Sequence, residues 1–278
     1  MEMIMKSRTW KPVMSAVLAV ILLSGCGMRE EGVERYVDVQ YRLVDSPDDI
    51  MPLQGEEVLP VIYTGQIDLG DLQPEKRKQK FVQMMLPSIL IVNKYLRGVR
   101  ERVDRIASKS RRQLWLRSAD KDFLRRWMDA YRASDMEQLK DKLELHPVSI
   151  VLGQAALESG WGSSRFFIEG NNAFGVWAFG RNKPRIEANR ARGNKSVYLR
   201  KYHSLIGSVL DYYRTIARGP YSEFRHRRGL TDDPLVLTSL LYNYSESRGR
   251  YVRKLQSVIR DGELEKYDRF IIDPAYLK

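Results

Sequence analysis

The chain has 278 residues, 43% of them hydrophobic, which is enough for one sizeable core or two small domains and excludes a disordered chain. Its net charge of +12 is unevenly distributed. Residues 27–72 hold three arginines and eleven acids, a sum of −8, whereas residues 73–278 hold 41 basic and 23 acidic residues, a sum of +18. A basic body of this kind favours a polyanionic partner such as nucleic acid, anionic lipid or cell wall.

The N-terminus has the layout of a secretion signal. Three basic residues precede an apolar run from Val13 to Leu23, which is too short for a comfortable membrane span. The stretch LSGC, which ends at Cys26, closely resembles the bacterial lipobox. This resemblance implies that residues 1–25 are a lipoprotein signal peptide and that Cys26, the single cysteine, is lipidated and attaches the protein to a lipid membrane. The alternative is an ordinary buried thiol.

The expected location is the cell envelope, because the chain carries an export signal. No aspartate follows Cys26 directly, so a signal for retention at the inner membrane is missing. In a Gram-negative source this favours an outer-membrane anchor facing the periplasm. Export and lipidation also make nucleic acid the least plausible of the polyanionic partners.

The pattern of apolar residues changes near residue 73. Residues 26–72 lack helical periodicity and are predicted to be an acidic tether with possible short strands. A helix is predicted from Pro74, and Pro87 is expected to bend or divide it. A second helical region follows over Arg111 to Ala133, with Trp115 among its apolar residues.

The second half of the chain alternates between helical and strand-like patterns. Pro147 suits the first turn of a helix that runs to about Ser159 and ends at the following glycines. The segment from Asn171 to His203 is predicted to form a small β-hairpin lobe with a basic loop. Further helices are predicted over Leu205–Ile216, Pro234–Tyr242 and Arg250–Ile259.

The sequence favours carboxylate chemistry over metal, cofactor or thiol chemistry. Its three histidines lack metal-ligand spacing, and no glycine-rich phosphate loop is present, so neither a metal nor a cofactor is predicted. Glu158 continues the apolar face formed by Val151 and Ala155 and lies in the last turn of its helix, close to Trp161. These surroundings raise the pKa of a glutamate, as a general acid requires. From spacing alone, the alternative that Glu158 points outward from a frayed helix end remains open.

One longer stretch resembles a known family. The sequence GQAALESGWGSSRFFIEGNNAFGVWAF is similar to the catalytic motif of the glucosaminidase family, glycoside hydrolase family 73, whose domain is of the mannosyl-glycoprotein endo-beta-N-acetylglucosaminidase type. Four other segments resemble the Bax-type subgroup in the same order, so the similarity covers about residues 73–278. They are KQKFVQMMLPSILIVNKYL, KYHSLIGSVLDYYRTI, PYSEFRHRRG and YSESRGRYVRKLQSVI.

The resemblance implies a mainly α (α+β) fold. The expected structure is a lysozyme-like helical domain with a small β-hairpin lobe and a cleft between them. Within residues 73–278 the N-terminal helices would occupy 73–135 and the catalytic core 136–278. The implied activity is hydrolysis of the β-1,4 bond that follows N-acetylglucosamine in the glycan strands of peptidoglycan.

The resemblance also assigns catalytic residues. Glu158 matches the family's catalytic acid and would protonate the leaving glycosidic oxygen. Glu187, the only acid in the predicted lobe, is the candidate second carboxylate that activates water or stabilises the transition state; its alternative is a solvated partner of neighbouring arginines. Tyr251 matches a functional tyrosine near the cleft, with a core aromatic as the alternative.

A sugar-binding surface is expected beside the catalytic residues, because amides bind hydroxyl groups and aromatic faces stack on pyranose rings. Phe174 and Trp177 could equally be hairpin core. Two other functions remain open: a non-catalytic peptidoglycan-binding lipoprotein without a competent second carboxylate, and a lytic transglycosylase that uses a single acid. The expected sugar-binding residues are Asn171, Asn172, Phe174, Trp177 and Tyr202.

Overall fold

A 38-residue helix, α1 (Pro74–Arg111), runs through the centre of the structure. The computed structural model describes residues 30–179, 184–188 and 196–278, so the predicted signal peptide and Cys26 lie outside the described residues. Among those described, no helix is both long enough and apolar enough to cross a membrane.

Helix α1 does not divide at Pro87. The ring lies inside the helix, and its neighbours Leu86 and Ile89 are fully buried. Proline removes one backbone hydrogen bond from a helix interior, a cost of about 3 kcal/mol, and burial of the surrounding apolar side chains offsets it. Of the two outcomes predicted for Pro87, a bend or a division, the division is therefore wrong.

Eight shorter helices follow α1 in the described residues. Three of them agree closely in position with the helices predicted in the second half of the chain, and a fourth, α8, starts as predicted but ends earlier. Helix α2 is shorter than predicted, since Trp115 precedes it and is 79% exposed. The helices are α2 (Ser118–Tyr131), α3 (Met136–Leu143), α4 (Val148–Ser159), α5 (Arg165–Gly170), α6 (Leu205–Arg218), α7 (Ser222–Arg227), α8 (Pro234–Ser239) and α9 (Gly249–Asp261).

Three small two-stranded sheets complete the described fold. Strand β1 (Gln40–Leu43) runs parallel to β3 (Val61–Thr64), and β2 (Glu57–Val58) runs parallel to β6 (Ile271–Ile272). The antiparallel pair of β4 (Arg185–Glu187) and β5 (Tyr198–Arg200) forms the predicted hairpin lobe, which an isolated bridge between Trp177 and Leu199 extends. The predicted mainly helical fold with a small β-hairpin lobe is confirmed.

The segment predicted as a tether packs against the helical body instead. Val33, Val37 and Leu69 are completely buried, and β2 pairs with β6 at the opposite end of the chain. Gly98 makes this packing possible on α1: a Cβ atom there would lie 2.0 Å from the Tyr36 ring, so only glycine allows the ring so close. The many acidic residues of this segment made it look like a polar tether, although its apolar residues point to the core.

Helix α4 lies in the middle of the core, with α1 and α9 against it. Its residues from Val148 to Ala156 are all buried. Gly153 brings α9 close, because a Cβ atom at that position would lie 2.8 Å from Ile259 Cγ1. This close approach places one end of α9 beside the C-terminal half of α4, where Glu158 lies.

Candidate active site

The turn after α4 fixes the direction of the helix end that carries Glu158. Gly160, Trp161 and Gly162 all have positive φ angles of 60°, 57° and 79°. The Ser159 hydroxyl donates to the Ala155 carbonyl at 2.6 Å and accepts the N–H of Gly162 at 3.0 Å. The two glycines adopt this left-handed conformation at little cost, so the chain can turn sharply directly after the last helical turn.

Trp161 connects this turn to α1. It is a non-glycine residue with positive φ, a conformation that costs about 1–2 kcal/mol. Its ring packs edge-on against Phe81 of α1, with 5.6 Å between ring centroids. This contact holds the turn at the end of α4 against the long helix, and the covering of Glu158 by Trp161 stays a prediction.

Glu158 is a partly buried carboxyl group at the C-terminal end of α4. Burial raises its pKa from 4.5 to about 7, and a hydrogen bond with Tyr251 acts in the opposite direction by favouring the charged form. A group with this pKa exchanges its proton near neutral pH. The structure therefore decides between the two alternatives that the sequence left open, because Glu158 does not point outward from a frayed helix end.

Two more tyrosines face the same carboxyl group. Burial raises the pKa of Tyr221 to about 12, and the negative charge of Glu158 adds to this shift. Burial and the neighbouring Tyr251 raise the pKa of Tyr244 well above 10, with a smaller contribution from Glu158. Both hydroxyls thus stay protonated and are neutral polar groups in the neighbourhood of Glu158.

A tight turn runs directly beside the carboxyl group. Gly175 has a φ of +62°, and a Cβ atom at that residue would lie 3.6 Å from Glu158 Oε2. Glycine keeps this space open and also provides the left-handed conformation that the turn needs. One oxygen of Glu158 is therefore next to a backbone without a side chain.

Tyr251 lies beside Glu158, and its role in catalysis stays a prediction. It is 4% exposed, its ring stacks on that of Tyr244 at 5.5 Å, and its hydroxyl accepts a hydrogen bond from Gln154 Nε2 at 2.8 Å. Gln154 was missed from the sequence, although its position four residues before Glu158 places it on the same helix face. Tyr221 and Tyr244 come from distant segments and gave no local signal.

Asn172 and Phe174 do not fit the predicted sugar-binding surface. Asn172 is 1% exposed, and its amide bonds the carbonyls of Val176 and Arg200 at 3.0 and 2.9 Å, while its carbonyl accepts the N–H of Val176. Phe174 is 2% exposed and stacks on Tyr212 with 4.3 Å between centroids. Both side chains instead hold the turn against the lobe and the core.

Three expected site residues lie nearer to the surface. Asn171 adopts a left-handed conformation and donates to the carbonyls of Tyr202 and His203 at 3.3 Å. The Tyr202 hydroxyl donates to Asp211 at 2.7 Å, which leaves only part of its ring exposed. Trp177 is 38% exposed, so it retains a face that a sugar ring could reach.

Glu187 is the last residue of β4, and its side chain is exposed. Its backbone carbonyl accepts a hydrogen bond from the Arg165 guanidinium, which connects the lobe to α5. The flanking residues 180–183 and 189–195, including Arg190, lie outside the described residues. The role of Glu187 as second carboxylate remains a prediction. Across the described parts of the chain, no cluster of His, Cys, Asp or Glu side chains could hold a metal ion.

Comparison with known families identifies the part of the chain that contains this site. Residues 133–264 match the family described as "Mannosyl-glycoprotein endo-beta-N-acetylglucosaminidase", a range that includes Glu158, Glu187 and Tyr251. The chain carries a glucosaminidase-family domain. Protein bax of Escherichia coli (strain K12) is 26% identical over 201 residues, which cover 67% of this chain and 70% of that protein. The glucosaminidase domain is therefore of the Bax type.

Two solved structures are similar to a part of this chain. The glycoside hydrolase domain of FlgJ from Salmonella typhimurium is 26% identical, with a TM-score of 0.35, and the match covers 52% of this chain and 89% of that one. A peptidoglycan hydrolase from Sphingomonas sp. A1 is 23% identical, with a TM-score of 0.36, and the match covers 51% of this chain and 87% of that one.

Proposed function

We propose that the glucosaminidase domain hydrolyses peptidoglycan at the β-1,4 bond that follows N-acetylglucosamine. The observation that carries the proposal is the partly buried carboxyl of Glu158, with a pKa of about 7, inside the region that matches the glucosaminidase family. Peptidoglycan is the substrate we favour because it is a polymer that contains N-acetylglucosamine and bears acidic groups. The charge of +18 on residues 73–278 complements such a polymer.

In the proposed reaction Glu158 is the general acid. Its proton moves to the glycosidic oxygen as the bond between that oxygen and the sugar's anomeric carbon breaks. A water molecule then adds to the oxocarbenium-like carbon and gives one proton to the second carboxylate or back to Glu158. The Tyr251 hydroxyl stabilises the carboxylate that Glu158 becomes. We assign Glu187 the role of second carboxylate, which either activates the water or stabilises the developing positive charge.

We further propose that residues 1–25 are removed on export and that Cys26, lipidated, anchors the protein in the outer membrane facing the periplasm. Anchoring sets the location of the enzyme without contributing to its chemistry. A protein that lacks the signal and carries Cys26→Ser is expected to hydrolyse peptidoglycan in solution. Complete loss of activity in this soluble variant would contradict the separation of anchoring from catalysis.

The proposed reaction is tested on purified peptidoglycan with the wild type, Glu158→Gln and Glu187→Gln, and the released fragments are identified by mass spectrometry. Products that end in reducing N-acetylglucosamine from the wild type, but not from Glu158→Gln, are expected. Anhydro-muramyl ends would instead identify a lytic transglycosylase. Binding to the wall without any soluble product would identify a non-catalytic wall-binding protein. Unchanged turnover by Glu187→Gln would remove that residue from the mechanism.

A further inference from the structure

A chain of buried hydrogen bonds leads from the interior of the domain to Glu158. His146 Nε2 lies 2.8 Å from the Tyr212 hydroxyl, which donates to Gln154 Oε1 at 2.7 Å. Gln154 Nε2 in turn donates to the Tyr251 hydroxyl at 2.8 Å, and that hydroxyl lies beside Glu158, where as a donor it lowers the pKa of the carboxyl. None of these hydrogen bonds joins His146, Tyr212 or Gln154 directly to the Glu158 carboxyl group or to the turn beside it.

The donors and acceptors present allow only one donor-to-acceptor order along this chain of hydrogen bonds. A carbonyl oxygen cannot donate, so the single hydroxyl proton of Tyr212 points to Gln154 Oε1. The other end of the same amide, the NH₂ group, must then face Tyr251 and donate to its oxygen. Since the Tyr251 oxygen accepts this bond, its own proton is free to be donated to Glu158.

The opposite direction would require a proton on the other nitrogen of His146. If Tyr212 donated to His146 Nε2, the imidazole would carry its proton on Nδ1, which is buried and has no hydrogen-bond partner among the described residues. A buried N–H without an acceptor costs about 1–3 kcal/mol. His146 therefore keeps its proton on Nε2 and donates to Tyr212, which agrees with the direction set by Gln154.

No solvent competes with these bonds. Gln154 and Tyr212 are 0% exposed, and His146 and Tyr251 are 5% and 4% exposed. The ring of Tyr212 is also held in place by stacking on Phe174. An amide in such surroundings cannot exchange its two ends without losing both bonds.

We propose that Gln154 is a positioning residue whose amide makes the Tyr251 hydroxyl a permanent donor to Glu158. The carboxyl oxygen that accepts from Tyr251 cannot also hold the acid proton on that side, so the proton lies on the other oxygen, ready for transfer. This inference rests on the proposed function, in which Glu158 is the general acid. Tyr212 and His146 act one and two steps further away by fixing the orientation of the Gln154 amide.

Other ionisable groups lie near the two ends of this chain of hydrogen bonds but do not form part of it. Glu158 faces the hydroxyls of Tyr221 and Tyr244 in addition to Tyr251. His146 faces the guanidinium of Arg228, whose charge adds to burial in lowering the pKa of the imidazole, so the ring stays neutral. A change in the Gln154 amide leaves all three of these neighbours in place.

The neighbouring residues Tyr212 and Tyr213 provide a matched pair for the test. Both lie on α6 and are buried, and the Tyr213 hydroxyl donates to a different amide, that of Asn93, at 2.6 Å. Tyr212→Phe and Tyr213→Phe each remove one buried hydroxyl, but only Tyr212→Phe releases the Gln154 amide. The pKa of Glu158 is measured in both by ¹³C NMR of the glutamate carboxyl carbons, with Glu158→Gln to assign the signal.

We expect Tyr212→Phe to raise the pKa of Glu158 by about half a unit, since the donor to its charged form is no longer fixed, and Tyr213→Phe to leave it unchanged. The alkaline limb of the activity profile should move in parallel.

Gln154→Met, which keeps a similar volume, should raise the pKa of Glu158 by about one unit. This variant replaces Tyr212→Phe if Tyr212→Phe does not fold. Equal values in Tyr212→Phe and Tyr213→Phe, or an unchanged value in Gln154→Met, would overturn the inference. The NMR titration needs no substrate, so it decides this point even if the wild type fails to cleave peptidoglycan.

Discussion

The partly buried carboxyl of Glu158 is expected to make the free energy of unfolding fall as pH rises, and Glu158→Gln is expected to remove that dependence. Burial raises the pKa of this group from 4.5 to about 7, so the folded protein holds the proton more tightly than the unfolded chain does. One pKa unit corresponds to about 1.36 kcal/mol. Complete ionisation of Glu158 therefore costs about 3 kcal/mol of folding free energy.

The pH range of this effect follows from the two pKa values. Below pH 4.5 the carboxyl is protonated in both states, and the cost is absent; between pH 4.5 and about 7 the folded protein binds more protons than the unfolded chain, so stability falls as pH rises. Above that range the cost is constant. Glutamine has nearly the same volume, carries no charge and can still accept from Tyr251. Glu158→Gln should thus be more stable than the wild type by about 3 kcal/mol at pH 8 and equally stable at pH 4.

Urea unfolding followed by circular dichroism at pH 4, 6 and 8 measures this difference. The matched control is Glu187→Gln, which makes the same chemical change at an exposed carboxylate. Its difference from the wild type should be the same at all three pH values. The reasoning would be refuted if the gap between Glu158→Gln and the wild type did not grow from pH 4 to pH 8, or if Glu187→Gln gave an equal growth.

Three further outcomes are expected. Tyr251→Phe should raise the pKa of Glu158 by about one unit, because a hydrogen bond to its charged form is lost, and an unchanged NMR titration of the carboxyl would contradict this. Gly175→Ala should lower the rate of glycan cleavage, since a methyl group 3.6 Å from Glu158 Oε2 occupies the approach to the acid, and should cost about 1–2 kcal/mol of stability in urea because φ is +62°. Wild-type kinetics in that variant would show that substrate approaches from another side. Binding to purified peptidoglycan should weaken as salt rises, because the exposed cations of residues 73–278 are screened over about 8–10 Å; a sedimentation assay with no salt dependence would show that charge is not what binds the wall.

The position of Glu158 could be predicted from the sequence because its signal is local. Helix spacing placed it on the apolar face of α4, and the glycines after it marked the helix end. Spacing could not decide whether the side chain was buried, since that depends on groups such as Tyr221 and Tyr244, which come from segments far along the chain. The same holds for Tyr251, whose contact with Gln154 requires α9 to cross α4 at Gly153.

The expectations that the structure altered share one physical cause. Asn172 and Phe174 have side chains that suit sugar binding, but their chemical type does not reveal whether they face solvent or the core. Average composition was equally misleading for residues 26–72, where acidic side chains on the outside hide the buried residues Val33 and Val37. In each case burial is set by tertiary contacts, which neither residue type nor local periodicity encodes.

The packing of the N-terminal segment limits the distance over which the enzyme can act. With Cys26 as the anchored residue we propose, only residues 27–32 separate the lipid from Val33, which is completely buried. That connection spans at most about 20 Å, since residues 30–32 already belong to a 3₁₀ helix (Glu30–Arg35), whereas a free, fully extended segment as long as residues 27–72 would span about 150 Å. The pairing of β2 with β6 further joins this segment to the C-terminal end of the chain. The protein would thus cut only glycan strands that come close to its membrane, and lengthening the connection after Cys26 would extend its working radius.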